Sequence, residues 1–213
     1  MNFNDLVSFL QQRLQKPLPG AKAHGKMKPV MANGAPIRIK HHKAAKEGAV
    51  LILLNQVSGQ PRFPLIQRPE YDGVHSGQIA LPGGKKESED TSLIATAQRE
   101  TEEEIGIDRH QIRIIGNLSP FYVAASNFNV LPVVGVLYEP AIFKADPREV
   151  QEIINPAIAS LLDPKNRQEG ERSVGGSFKL VSPQFLLEDK EVWGATAMIL
   201  SEFESILQEF TVR

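Results

Sequence analysis

The sequence predicts a mixed domain of helices and strands (mixed α+β), and three observations carry that expectation. Short runs rich in Val, Ile and Leu, bounded by Gly, Pro, Asn and Ser, recur from Ala49 onward at strand length. Two longer stretches, 92–105 and 194–207, repeat their apolar residues at helical spacing. Helices and strands do not alternate strictly, which favours a mixed sheet packed between helices over a doubly wound parallel one.

At the amino terminus Phe3, Leu6, Val7, Leu10 and Leu14 share one helical face, with Asn2 placed as N-cap and Asp5 three residues on. Residues 15–47 hold Pro17, Pro19, Gly20, Gly25, Pro29, Gly34 and Pro36, then a basic cluster from Arg38 to Lys46, and read as an irregular arm. The main domain is placed at 48–213. Strands are expected near 49–54, 63–67, 78–81, 112–118, 130–137 and 149–154. The helix at 92–105 has Leu93, Ile94, Ala97, Thr101 and Ile105 as its buried stripe, and Gly106 follows where a C-terminal stop belongs. Pro156 opens a further helix carrying Ala157, Ile158, Leu161 and Leu162, and the polar stretch 163–176 reads as a mobile loop.

A chain of 213 residues with 41% hydrophobic composition can build one core without a disulfide or structural metal. The absence of cysteine removes thiolate catalysis and Cys-ligated metal sites. Basic residues number 24 against 25 acidic ones, so no global field draws in nucleic acid or an anionic membrane. The first residues lack a secretory pattern and no 18-residue apolar run occurs, so the expected location is cytoplasmic.

Glu100, Glu103 and Glu104 lie at i, i+3 and i+4, which on a helix gathers three carboxylates on an arc about 100° wide. Like charges so placed destabilise the helix unless a cation sits among them, and hard oxygen donors suit magnesium or manganese. A solvated acidic face has the same spacing, and the surroundings separate the two readings. Gly83 and Gly84 allow the backbone to approach a ligand closely, Lys85 and Lys86 follow, and Asp90 could cap the helix. Arg99 can pair with Glu103 one turn away.

Gly84, Asp90, Arg99, Glu100, Glu103, Glu104, Gly106 and Ile107 resemble the Nudix box, G-x5-E-x7-R-E-U-x-E-E-x-G-U with U aliphatic. Asp90 replaces a glutamate, the gap to Arg99 is one residue longer, and Thr101 fills an aliphatic position. His75-Ser-Gly-Gln-Ile-Ala-Leu-Pro-Gly-Gly84 and Thr96-Ala-Gln-Arg-Glu-Thr-Glu-Glu-Glu-Ile-Gly-Ile107 resemble the coenzyme A pyrophosphatase branch, with Leu81 for the usual Phe and Gln98 for the usual Leu. Leu65 to Arg68, Asn129 to Gly135 and Val192 to Leu200 also look like that branch, so the likeness runs from Ala49 to Leu207.

The resemblance implies a Nudix fold, a mixed β-sheet sandwiched between helices (α/β/α), and metal-dependent hydrolysis of a pyrophosphate in a small nucleotide derivative. For coenzyme A the products would be 3′,5′-ADP and 4′-phosphopantetheine. Glu100 and Glu104 would be the principal metal ligands, Glu103 a ligand or the group that orients or deprotonates water, and Arg99 their support. Glu149 or Glu152 on a downstream segment is the alternative base. Arg68 is expected to contact phosphate or close a strand-end salt bridge, His75 to bind substrate or bond within its turn, and Gly83, Gly84 and Lys85 to meet the substrate. Trp193 reads as a packing anchor and His41-His42 as surface residues. ADP-ribose, a dinucleotide, or a silent nucleotide-binding regulator are the competing readings, and family habit allows a homodimer.

Overall fold

A computed structural model describes residues 1–37, 39–70, 76–174 and 178–211. Arg38 and His75 lie outside the described residues. In chain order the elements are α1 (Phe3–Arg13), α2 (Ala21–His24), β1 (Val30–Met31), β2 (Lys46–Val57), β3 (Gln60–Arg62), β4 (Leu65–Gln67), β5 (Ile79–Ala80), β6 (Gly83–Lys85) and α3 (Leu93–Ile105). They continue with β7 (Arg113–Asn117), β8 (Phe121–Val123), β9 (Phe128–Val136), β10 (Glu152–Ile154), α4 (Ile158–Leu162), β11 (Arg167–Val174), β12 (Phe178–Leu187), β13 (Lys190–Trp193) and α5 (Gly194–Thr211).

The central sheet runs β3-β2-β9-β7, with β6 pairing the start of β2 and β8 pairing β9. β2 and β9 are parallel from Lys46↔Phe128 to Leu54↔Val136, and the other pairs are antiparallel, so the sheet is mixed. Side chains of β2 alternate between two cores, as strand geometry requires. Ala49, Leu51 and Leu53 pack with Ala97 and Ile105 of α3, whereas Ile52 and Leu54 pack with Leu200 and Phe203 of α5. Helices therefore cover both faces. Phe3, Leu6 and Leu10 of α1 lie in the α5-side core, where full burial of such side chains contributes roughly 1.5–3 kcal/mol each.

The arm contains more structure than its Pro and Gly content suggested. It forms α2 and β1, and the buried carboxylate of Glu202 on α5 ties it down by accepting from Gly20 N–H at 2.8 Å and contacting His24 Nε2 at 2.9 Å. The expected loop at 163–176 is instead largely β11, which pairs with β12 from Arg167↔Phe185 onward. Its sequence lacks apolar alternation because Glu169 and Glu171 face solvent, so a long hairpin looked like a polar loop. No helix among the described residues is long and apolar enough to cross a membrane.

Candidate active site

The site is built on α3, and local rules fix where that helix begins and ends. Ser92 caps it, accepting from Ala95 N–H at 3.1 Å, and Gly106 closes it in the left-handed region at φ 72° with its N–H donating to Glu102 C=O. Asp90 is therefore not the cap. It lies in the preceding turn, accepting from Glu87 N–H, Thr96 Oγ1 and two nitrogens of Arg99. The Arg99 guanidinium holds the Asp90 carboxyl well below the usual carboxylate range.

The departures from the box have physical explanations here. Thr101 is fully buried and donates its hydroxyl to Ala97 C=O at 2.7 Å, so an aliphatic position tolerates it. Gln98 donates to Arg109 C=O and Ile112 C=O, pinning the segment that leaves the helix. Leu81 is buried in the α5-side core.

Arg99 bridges the turn and the helix. It donates to Lys85 C=O at 3.0 Å and meets Glu100 Oε1 at 3.0 Å and Glu103 Oε2 at 2.9 Å. Glu100 rests against Gly84, where a Cβ would stand 2.4 Å from its carboxyl carbon. Glu104, one turn further, has only 1% of its side chain exposed. Its Oε2 accepts from Gly83 N–H at 2.8 Å, and its Oε1 is buried without a hydrogen-bond donor. Arg68 Nη2 lies 3.7 Å from that Oε1 and donates to Gly83 C=O at 3.2 Å. Burial pushes Glu104 up to about 8, against the pull of Arg68 and Gly83, and burial likewise raises Glu100.

A third carboxylate comes from a distant segment. Single oxygens of Glu100, Glu104 and Glu149 lie within 4.8 Å of one another. Asp146 places Glu149, because its N–H donates to Glu104 C=O while its own C=O accepts from Glu149 N–H at 3.1 Å and Val150 N–H at 2.8 Å. Gln151 N–H then donates to Gln67 C=O, fixing the far end of the turn on β4. Glu103 stands apart, half exposed and paired with Arg99. Glu152 also stands apart, bonded to Lys190 Nζ at 2.6 Å.

This group fits a hard divalent cation. A buried carboxylate oxygen without a donor, a second carboxylate held against a bare glycine, and a third that is exposed form an oxygen donor set open on one side. The Lys85 carbonyl accepts from Arg99, while its exposed side chain, one residue past Gly84 on β6, falls on the opposite sheet face from Glu100. Trp193 lies at the end of β13 with the Arg172 guanidinium 5.2 Å from its ring centroid, and His41 is exposed and contacts Ala124 C=O.

The model of the NUDIX domain family matches residues 45–172. Nudix hydrolase 15, mitochondrial, of Arabidopsis thaliana is 34% identical over 170 residues, 77% of this chain and 59% of that protein. A mitochondrial coenzyme A diphosphatase of Homo sapiens is 34% identical over 169 residues, 78% of this chain and 70% of that protein. The chain thus spans less than two thirds of the length of the plant relative. Among solved structures, a MutT/nudix family protein from Enterococcus faecalis superposes with a TM-score of 0.51 at 16% identity, covering 81% of this chain and 66% of that one. The MutT protein from Methanosarcina mazei Go1 gives 0.50 at 21% identity, covering 80% and 99%. These likenesses show a common fold, and with the family match and the arrangement of Arg99, Glu100 and Glu104 they establish that the chain belongs to the NUDIX domain family.

Proposed function

We propose that the protein is a magnesium- or manganese-dependent pyrophosphohydrolase acting on coenzyme A or its derivatives, releasing 3′,5′-ADP and 4′-phosphopantetheine. The observation that carries this reading is the half-satisfied buried carboxylate of Glu104 grouped with Glu100 and Glu149. The relative named a coenzyme A diphosphatase supports the choice of substrate.

Glu100, Glu104 and Glu149 would hold the cation. When bound, it would neutralise the diphosphate oxygens and make a water more acidic. In the reaction the water oxygen bonds to one phosphorus, the bridging P–O bond breaks, and the water proton passes to a carboxylate. Glu149 is the favoured acceptor, because Glu103 is engaged by Arg99 and Glu152 by Lys190, whereas Glu149 is exposed within the group. Arg68, partly exposed next to Glu104, would meet a phosphate oxygen, and Arg99 would hold Glu100 in position.

Turnover of coenzyme A, ADP-ribose and NADH in parallel, with metal or with chelator and with products identified by mass, tests the reading. Metal-dependent release of 3′,5′-ADP from coenzyme A is expected. Cleavage of ADP-ribose or NADH alone would transfer the substrate to another nucleoside diphosphate derivative, and no turnover of any would indicate a silent binding domain.

A further inference from the structure

We propose that Lys190, on the β12–β13 hairpin, is a positioning residue for Glu149; the proposal rests on the place given to Glu149 in the reaction above. Glu149 belongs to a turn that backbone bonds hold at each end. Upstream, Lys144 N–H donates to Ile105 C=O at 2.8 Å and Asp146 N–H to Glu104 C=O at 3.1 Å, so that end is fixed on α3 itself. Downstream, Gln151 N–H donates to Gln67 C=O at 2.8 Å, and that end depends on a small sheet. The sheet is separate from the central one, runs β10-β4-β5, and has only three residues in each of β10 and β4. Ladders this short are marginal without further contacts.

The β12–β13 hairpin supplies them. Glu188 and Asp189 form its tip at φ 48° and 61°, and Leu187 pairs with Lys190 across it. Lys190 Nζ donates to Gln67 Oε1 at 3.0 Å and to Glu152 Oε2 at 2.6 Å, and Glu152 and Gln67 are themselves paired across β10 and β4. Glu188 meets the other end of β10, its Oε2 accepting from Asn155 N–H at 3.3 Å. Gln67 is thus tied to Lys190 by its side chain while its carbonyl holds Gln151, which follows Glu149 by one intervening residue.

Lys190 acts through the backbone and not by contact with the carboxylates. Ile66 and Ile153, the next pair along the ladder, pack into the α3-side core, so Gln67, Glu152 and Lys190 meet on the opposite face. The lysine side chain is 30% exposed and the glutamate 48%, so this ion pair adds little to global stability. Its effect is local, on where Glu149 stands relative to Glu100 and Glu104. Oxygens of the three lie within 4.8 Å of one another, and a displacement of about 1 Å at a reacting centre is enough to slow turnover.

The test is a double-variant cycle on coenzyme A hydrolysis with magnesium, joined to amide hydrogen exchange of the metal-free proteins. Proteins compared are the wild type, Lys190→Met, Lys190→Arg, Glu149→Gln and the Lys190→Met/Glu149→Gln double variant. Lys190→Met is expected to lower kcat about tenfold, the effect of losing a group that orients a site carboxylate, with KM changed by less than about twofold. Lys190→Arg should keep most of the rate, because a guanidinium can donate to the same two oxygens. In the Glu149→Gln background Lys190→Met should change kcat by less than about twofold, since the group it positions is gone. The Gln151 amide should exchange about tenfold faster in Lys190→Met than in the wild type. A wild-type kcat in Lys190→Met, an equal fall in both backgrounds, or unchanged exchange at Gln151 would overturn the proposal. If the wild type cleaves no coenzyme A, or Glu149→Gln matches it, the reading of the site falls instead, and exchange at Gln151 alone decides whether Lys190 holds the turn.

Discussion

Gly83 N–H donates to Glu104 Oε2 at 2.8 Å, while the other oxygen of the same carboxylate is buried without a donor. The backbone thus orients a carboxylate that the protein does not fully satisfy. Such a group costs stability when ionised and repays it only when a cation arrives.

Stability without metal should therefore depend on pH in a defined direction. Burial raises Glu104 from 4.5 to about 8, so the folded state binds a proton that the unfolded state releases. That contribution is fully present below 4.5 and is lost as pH rises through about 8. Thermal denaturation in chelator should show stability declining across this window, with a shallower decline in Glu104→Gln. The rise in Tm on adding magnesium or manganese should grow over the same range, because binding must displace the proton.

Asp90 is the anchor of Arg99, and both are largely buried. Asp90→Ala leaves the guanidinium short of its main partner, which should cost about 3–5 kcal/mol in denaturant unfolding. Metal affinity should weaken by ~10–100-fold, since Arg99 also contacts Glu100.

Glu149 and Glu103 should separate in kinetics. Glu149→Gln is expected to lower kcat by about 10²–10⁴-fold with a smaller change in KM, as for loss of a proton acceptor. Glu103→Gln, which removes an exposed partner of Arg99, should cost less than about tenfold. The reverse ranking would assign proton transfer to Glu103.

Gly84→Ala places a methyl 2.4 Å from the Glu100 carboxyl carbon. The carboxyl is the end of a flexible side chain, so the fold should survive while the group is displaced. Unfolding free energy should change by less than about 1 kcal/mol. Turnover should fall by roughly 100-fold, the order expected for a shift of about 1 Å at a reacting centre.

Much of α3 was legible in the sequence, because Ser92, Ala97, Thr101, Ile105 and Gly106 act through local rules, although Ile94, expected in the buried stripe, is exposed, and the pairing of Arg99 with Glu103 follows from helical spacing alone. Helical spacing alone did not separate Glu103 from Glu104, and only the family resemblance singled out Glu100 and Glu104; in the fold Gly83 and Arg68 distinguish the two neighbours. Glu149 was visible only as one of two candidates. It reaches the group through backbone bonds from Asp146 to Glu104 and from Gln151 to Gln67, which no residue type announces. The strand expected at 149–154 begins only at Glu152, because the preceding residues form that turn. β12 and β13 pair with their sequence neighbours, closing at Val174↔Phe178 and Leu187↔Lys190, and were not legible because polar residues such as Ser182, Gln184 and Glu191 interrupt the apolar pattern that marks a strand.

The most direct measurement is hydrolysis of coenzyme A by wild type and Glu104→Gln, each with magnesium or manganese and with chelator. The wild type should release 3′,5′-ADP only with metal, and Glu104→Gln should be slower by about 10²–10³-fold while remaining folded. A folded Glu104→Gln variant working at the wild-type rate, or a wild-type rate indifferent to chelator, would contradict the account.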